Sequence, residues 1–270
     1  MWIWACVAPH PPIVVPEVGR GGEGGAKDTI QAFLDLGKAL TPPELLVLLS
    51  PHAPFVPGKM LLGIAETYEG SFRDFGASSV ALKTLGFPQA LPLLEDVFRR
   101  EGIPHRTLSQ SRIELDHGCL VPLYYLSQFW QALPPLMIMN PGGLSPQKAY
   151  DAGRALAEFL PEKKWGLLAS GDLSHGVTPS APGRYHPWGK RFDQMVVTSL
   201  EEGESLPLRN LSPEERRDAQ ECGLASVLCA LGLTGDRPFS VLNYEAPFGV
   251  GYCVAYRKAP EESLPHEGGV

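Results

Sequence analysis

The sequence predicts an α/β fold: a single domain with a central, mostly parallel or mixed β-sheet flanked by helices, and a functional site at the carboxyl ends of the strands. Apolar runs of strand length alternate with segments of helical period from one end to the other, the ordering expected of α/β proteins. Several runs are apolar throughout, as strands buried on both faces require. Three of them, Trp2 to Ala8, Leu45 to Leu49 and Trp165 to Ala169, are each followed closely by a histidine: His10, His52 and His175. Open α/β sheets bind ligands outside the carboxyl ends of their strands, so histidines delivered there can converge. Imidazole is the commonest transition-metal ligand and titrates near neutral pH, so this placement points to a metal or acid–base site.

The elements follow in order. After the first strand, Gly19 to Gly25 reads as a flexible loop over the site, since it fits neither phosphate-binding glycine pattern. Ala26 to Leu40 has helical period, with Ile30, Phe33, Leu34 and Leu36 recurring on one side. The strand at Leu45 is followed by another from Met60 to Ala65, and Glu66 to Thr84 reads as hairpin or loop excursions. Gln89 to Glu101 is a helix, and Cys119 to Trp130 another, with Pro122 tolerated in its first turn. Leu136 to Met139 is a strand; Pro146 to Phe159, Lys190 to Glu202 and Pro213 to Leu231 are helices. Phe239 to Asn243 and Gly251 to Tyr256 form a terminal pair of strands. Residues 1–258 thus form one domain, and 259–270 a polar tail.

Composition narrows the class. The 270 residues are 44% hydrophobic and 20% charged, which suits a folded globular protein. A formal net charge of −7 supplies no basic footprint for nucleic acid. No apolar run approaches the roughly 18 residues that would span a bilayer. The apolar start lacks a basic leader and reads as a buried strand, so a cytoplasmic protein without a membrane partner is expected. The five cysteines make no metal-finger spacing, and Cys6 and Cys253 fall inside strand-like runs as buried thiols do.

Several polar residues are candidates for chemistry. His10 and His52 are flanked by prolines, which hold the backbone extended and give a ligand a rigid mount. His175 closes Ser170-Gly171-Asp172-Leu173-Ser174-His175, where Asp172 could orient an imidazole or cap a helix. His117, beside Asp116, opens an apolar helix whose positive end could tune a base. Two histidines plus one carboxylate would make the facial triad that holds Fe(II), and Glu221 and Glu245 are both candidates for the carboxylate. Glu221 opens an apolar stretch in which a charge calls for a compensating cation. His186 is a candidate for the rim of a substrate pocket; His105 and His266 read as surface residues.

Taken in order, Ala8-Pro9-His10-Pro11-Pro12 with Pro16-Glu17-Val18-Gly19, Ser50-Pro51-His52, Leu115-Asp116-His117-Gly118, Ala169 to His175, Glu221-Cys222-Gly223 and Tyr244 to Tyr252 resemble the catalytic subunit of the class III extradiol ring-cleavage dioxygenase superfamily. The nearest resemblance is to its bacterial Memo/AMMECR1-associated branch, found with radical-SAM proteins. The resemblance implies His10, His52 and Glu221 as metal ligands, His175 as the acid–base group, and His117 as a second catalytic histidine. Asp172, Glu245 and His186 would contact substrate. It also implies Fe(II), with zinc as the alternative metal, a small aromatic substrate, dioxygen, and a homodimer. Memo-like relatives place a cysteine near the position of the dioxygenase glutamate, and here Glu221 and Cys222 are neighbours. Three functions therefore stay open: extradiol cleavage of a catechol-type ring, a Memo-like metal protein without that activity, and a zinc-dependent hydrolase.

Overall fold

The computed structural model describes residues 1–260. Its nine strands are β1 (Trp2–Ala8), β2 (Leu45–Leu49), β3 (Met60–Phe72), β4 (Ala77–Leu85), β5 (His105–Glu114), β6 (Leu136–Asn140), β7 (Trp165–Ser170), β8 (Ser240–Glu245) and β9 (Tyr252–Lys258). Among the described residues they form one mixed sheet in the order β4-β3-β6-β2-β7-β1-β9-β8, with β5 paired to β3. The centre is parallel: β6 pairs with β2, β2 with β7 and β7 with β1. Antiparallel pairs flank it, β3 on β6 at one side and β9 on β1, then β8 on β9, at the other. β1, β2, β6 and β7 therefore end at the same edge, and the segments after them carry His10, His52 and His175.

Both faces of these central strands are covered, so alternate side chains enter different cores. Leu45, Val47 and Leu49 of β2 belong to one cluster and Leu46 and Leu48 to the other; β1 divides in the same way, Ala5 and Val7 against Trp4, Cys6 and Ala8. The helices are α1 (Pro16–Gly19), α2 (Lys27–Ala39), α3 (Leu91–Arg100), α4 (His117–Ser127), α5 (Pro146–Ala157), α6 (Pro187–Glu202), α7 (Leu206–Arg209), α8 (Pro213–Ala219) and α9 (Leu224–Thr234). Apolar residues of α2 and α4 build one core, and those of α3, α5, α6 and α9 the other. The expected single α/β domain is thus the observed one. No helix of the described residues is long and apolar enough to cross a membrane.

Three local features bear on the site. The stretch expected as one helix from Pro213 to Leu231 is two, α8 and α9, broken at Gln220, whose φ of 54° is left-handed. Glu221 and Cys222 therefore lie in a connector rather than on a helix face. The region Glu66 to Thr84 is a long β3–β4 hairpin, its tip at Arg73–Phe75. Gly19 to Gly25 is wound into the end of α1 and a 3₁₀ turn, Gly22–Ala26, rather than an open loop. Of the expected tail, 261–270, with His266, lies outside the described residues.

Candidate metal centre

His10 leaves the end of β1 almost wholly buried, at 2% exposure. Its backbone N–H donates to Asp172 Oδ1 at 2.8 Å, which ties the turn after β1 to the turn after β7. Its ring Nδ1 lies 2.9 Å from Ser170 Oγ, and that hydroxyl donates to the Gly118 carbonyl at 2.5 Å. The hydroxyl has a single proton and uses it on Gly118, so His10 Nδ1–H is the donor to Ser170. The lone pair of His10 is therefore on Nε2, which faces His52 Nε2 at 3.0 Å.

His52 follows β2, its N–H directed at Ser50 Oγ, and Ser50 Oγ in turn donates to Asp116 Oδ1 at 2.8 Å. Asp116 is the N-cap of α4 and accepts from Cys119 N at 3.1 Å. That cap fixes His117 at the first position of α4, with its ring centroid 4.1 Å from that of His52 and 5.3 Å from that of His10. A side chain on Gly118 would collide with this packing: a Cβ there would stand 2.5 Å from Ser50 Oγ and 3.2 Å from His52 Cδ2. One nitrogen from each of His10, His52 and His117 can be chosen so that all lie within 4.8 Å of one another. The ring of Phe75, from the hairpin tip, meets His117 edge-on at 5.5 Å.

The electrostatics suit a cation. Burial, with His52, His117 and His175 as like-charged neighbours, holds His10 well below the usual histidine range. Burial lowers His52 and His175 as well, and burial and His52 bring His117 down to about 4. All four are neutral at pH 7, the form that ligates a metal. Asp172 is buried, pushed up to about 7 by desolvation, with Oδ2 4.0 Å from His10 Nε2. A buried carboxylate beside convergent imidazole lone pairs is a donor set that a divalent ion would satisfy. The residues present therefore fit a metal.

The two neighbours Glu221 and Cys222 have different surroundings. Glu221 Oε1 pairs with Arg216 Nε at 3.1 Å and Oε2 accepts from Leu224 N at 2.8 Å at the start of α9, while its charge still bears on His175 and Cys222. The Arg216 guanidinium and the N-terminus of α9 offset its charge. Cys222 Sγ lies 3.6 Å from His10 Nε2 and donates to the Asp172 carbonyl at 3.5 Å; the group of mutually close donor atoms is the three imidazoles. Its Sγ also accepts from Asp172 N at 3.3 Å. Gly171 and Gly223 make this approach possible: a Cβ on Gly171 would collide with Gly223 Cα. Burial, then the nearby Asp172, raises the Cys222 thiol well above its ordinary range.

The other expected site residues divide. His175 is close enough for its charge to bear on His10 and His52, and its buried Nδ1 has no hydrogen-bond partner among the described residues. His117, expected beside the metal as a catalytic group, is the third imidazole of the cluster itself. Glu245, expected at the pocket rim, holds α2 in place: Oε1 accepts from Thr29 N at 2.7 Å and from Thr29 Oγ1 at 2.6 Å. His186, also expected at the rim, is the N-cap of α6 and lies 3.8 Å from Asp218 on the surface. Sequence reasoning missed Ser50, Ser170, Gly118 and Phe75. Only the first two carried a signal, as hydroxyls at strand ends beside histidine motifs.

Fold and cluster together define an α/β protein with a candidate metal centre on the carboxyl edge of its sheet. Residues 4–255 match the model of the catalytic LigB subunit of aromatic ring-opening dioxygenase, and the chain belongs to that family. Membership supports a dioxygenase-like enzyme class at family level. The chain is 30% identical over 259 residues to Protein CA_C1420 of Clostridium acetobutylicum, covering 91% of this chain. It spans only 55% of that relative's length. The fold is also similar to the crystal structure of the uncharacterized protein JW3007 from Escherichia coli K12. That likeness has a TM-score of 0.65 at 17% identity, over 94% of this chain and 99% of that one.

Proposed function

We propose that this chain is a metal-binding member of the family whose centre is built on His10, His52 and Cys222, the Memo-like variant, with His117 as a further nitrogen donor. The reading is carried by one observation: the thiol of Cys222 stands at His10 Nε2, while Glu221 is engaged by Arg216 and by α9. Imidazole with thiolate suits zinc or copper(I), whereas the Fe(II) triad needs a carboxylate. Bound there, such an ion would supply Lewis acidity, or electron transfer if it is copper. The chain's own contributions are distinct. Ser170 orients His10, and Asp116 and Ser50 hold His52 and His117; His10 is buried while His52 is exposed, so the cluster is open to solvent on the His52 side. His175, whose charge bears on His10 and His52, would take a proton from a ligand at the cluster.

A second reading is extradiol opening of a catechol-type ring with Fe(II) and dioxygen. Family membership and the buried Asp172 carboxylate beside His10 favour it, because Asp172 could stand in for the missing glutamate. His175 would then take the proton of a substrate hydroxyl. A homodimer remains part of both readings as a proposal.

Metal content and turnover separate them. His10→Ala, His52→Ala and Cys222→Ser should each lose most bound metal, while Glu221→Gln keeps it. A catechol panel with Fe(II)-reconstituted protein should yield no yellow ring-opened product. Full metal content in Cys222→Ser together with ring-opened product would overturn the proposal in favour of the dioxygenase.

A further inference from the structure

α4 contains a proline in its interior. Pro122 is the sixth residue of the helix and has no backbone N–H. The acceptor that a residue at 122 would use in an α-helix is the carbonyl four residues earlier, that of Gly118. This carbonyl is the one that takes the Ser170 hydroxyl proton at 2.5 Å, and Ser170 Oγ is the atom that His10 Nδ1 faces at 2.9 Å. The chain Pro122, Gly118, Ser170, His10 thus joins a missing helical donor to the protonation pattern of a buried imidazole.

We propose that Pro122 is a positioning residue for the candidate centre. By leaving the Gly118 carbonyl without a helical partner, it directs the Ser170 hydroxyl proton to that carbonyl and so keeps His10 in the Nδ1–H tautomer, Nε2 lone pair turned to the cluster. Physical alternatives are few. Were Ser170 to donate to His10 instead, the Nδ1 lone pair would be consumed, the proton would sit on Nε2 among the other imidazoles, and Gly118 would keep a buried carbonyl unpaired. Both outcomes are unfavourable in an interior where Ser170 is wholly inaccessible. A proline in a helix interior is ordinarily unfavourable because it removes a backbone donor, and here the acceptor left without that donor is the one Ser170 uses. The same substitution that repairs the helix should loosen the control over His10.

The consequence for metal binding rests on the centre proposed above, but the relay itself is read without metal. Nitrogen-15 NMR of histidine-labelled, metal-free protein at pH 7 reports which ring nitrogen of His10 carries the proton. Wild type should show Nδ1 protonated. Ser170→Ala should lose that preference, and Pro122→Ala should shift His10 toward a mixture of tautomers while raising thermal stability. Its affinity for zinc should fall several-fold. A purely structural proline would give the gain in stability with unchanged His10 shifts. A shift in Ser170→Ala alone would overturn the role of Pro122, and a shift in neither variant would overturn the whole relay. If the tautomers respond but no variant and no wild-type protein binds zinc, the relay stands and the metal reading fails.

Discussion

At the scale of single residues, the cluster is defined by what each imidazole is denied. His10, His52, His117 and His175 are all held below the ordinary histidine value by burial, so each resists a proton in the fold. The unfolded chain accepts those protons near pH 6.5, and below that it binds more of them than the native state does. Their combined effect is a loss of stability of the metal-free protein as pH falls from about 6.5 toward the value of about 4 held by His117. Asp172 and Asp193, both pushed up to about 7 by burial, work in the opposite sense over part of that range. A variant isolates the histidine share: between pH 7 and pH 5 the urea midpoint of His117→Asn should fall less than that of wild type. Equal falls would show that His117 is not held neutral by its surroundings. Gly118→Ala addresses the packing around the same rings, since its Cβ would press on Ser50 and His52. It should weaken zinc binding by ~10-fold or more, the usual effect of disturbing groups that orient ligands, with the far-ultraviolet circular dichroism unchanged. Unchanged affinity would show that the two loops yield freely.

At the scale of elements, the decisive one is the connector between α8 and α9. In sequence it is hidden, because the apolar period of Leu224 to Leu231 continues naturally from the polar turn before it. The break depends on Gln220 adopting a left-handed conformation, which its residue type does not announce. Its side chain is held there by Arg184, whose N–H donates to Oε1 at 2.9 Å and whose carbonyl accepts from Nε2 at 2.5 Å. Both contacts span 36 residues and leave no local trace. By contrast, the central strands and the proline-mounted histidines were legible, because burial on both faces and strand-end placement are written in consecutive residues. So the ligand-bearing edge of the sheet could be read, while the choice between Glu221 and Cys222 could not. In the proposed reading Glu221 serves stability through Arg216 and Leu224. Glu221→Ala should destabilise the fold by about 1–3 kcal/mol, as expected for a buried acceptor whose partners are left unpaired, and should retain full metal content. Loss of metal at unchanged stability would reverse that assignment.

At the scale of the whole molecule, a sheet with four parallel central strands brings together residues from positions 10, 52, 117, 172, 175 and 222, which no local segment could assemble. Family membership supports a dioxygenase-like class at family level, and the function itself is argued from the site. In the proposed reading the connector brings the Cys222 thiol to His10, beside the Asp172 carboxyl, while Glu221 is held by Arg216 and Leu224. X-ray absorption at the metal edge, on protein purified under reducing conditions and loaded with zinc, tests this most directly. Scattering from nitrogen and one sulfur is expected, with the sulfur shell lost in Cys222→Ser. A shell of nitrogen and oxygen alone in the wild-type protein would contradict it.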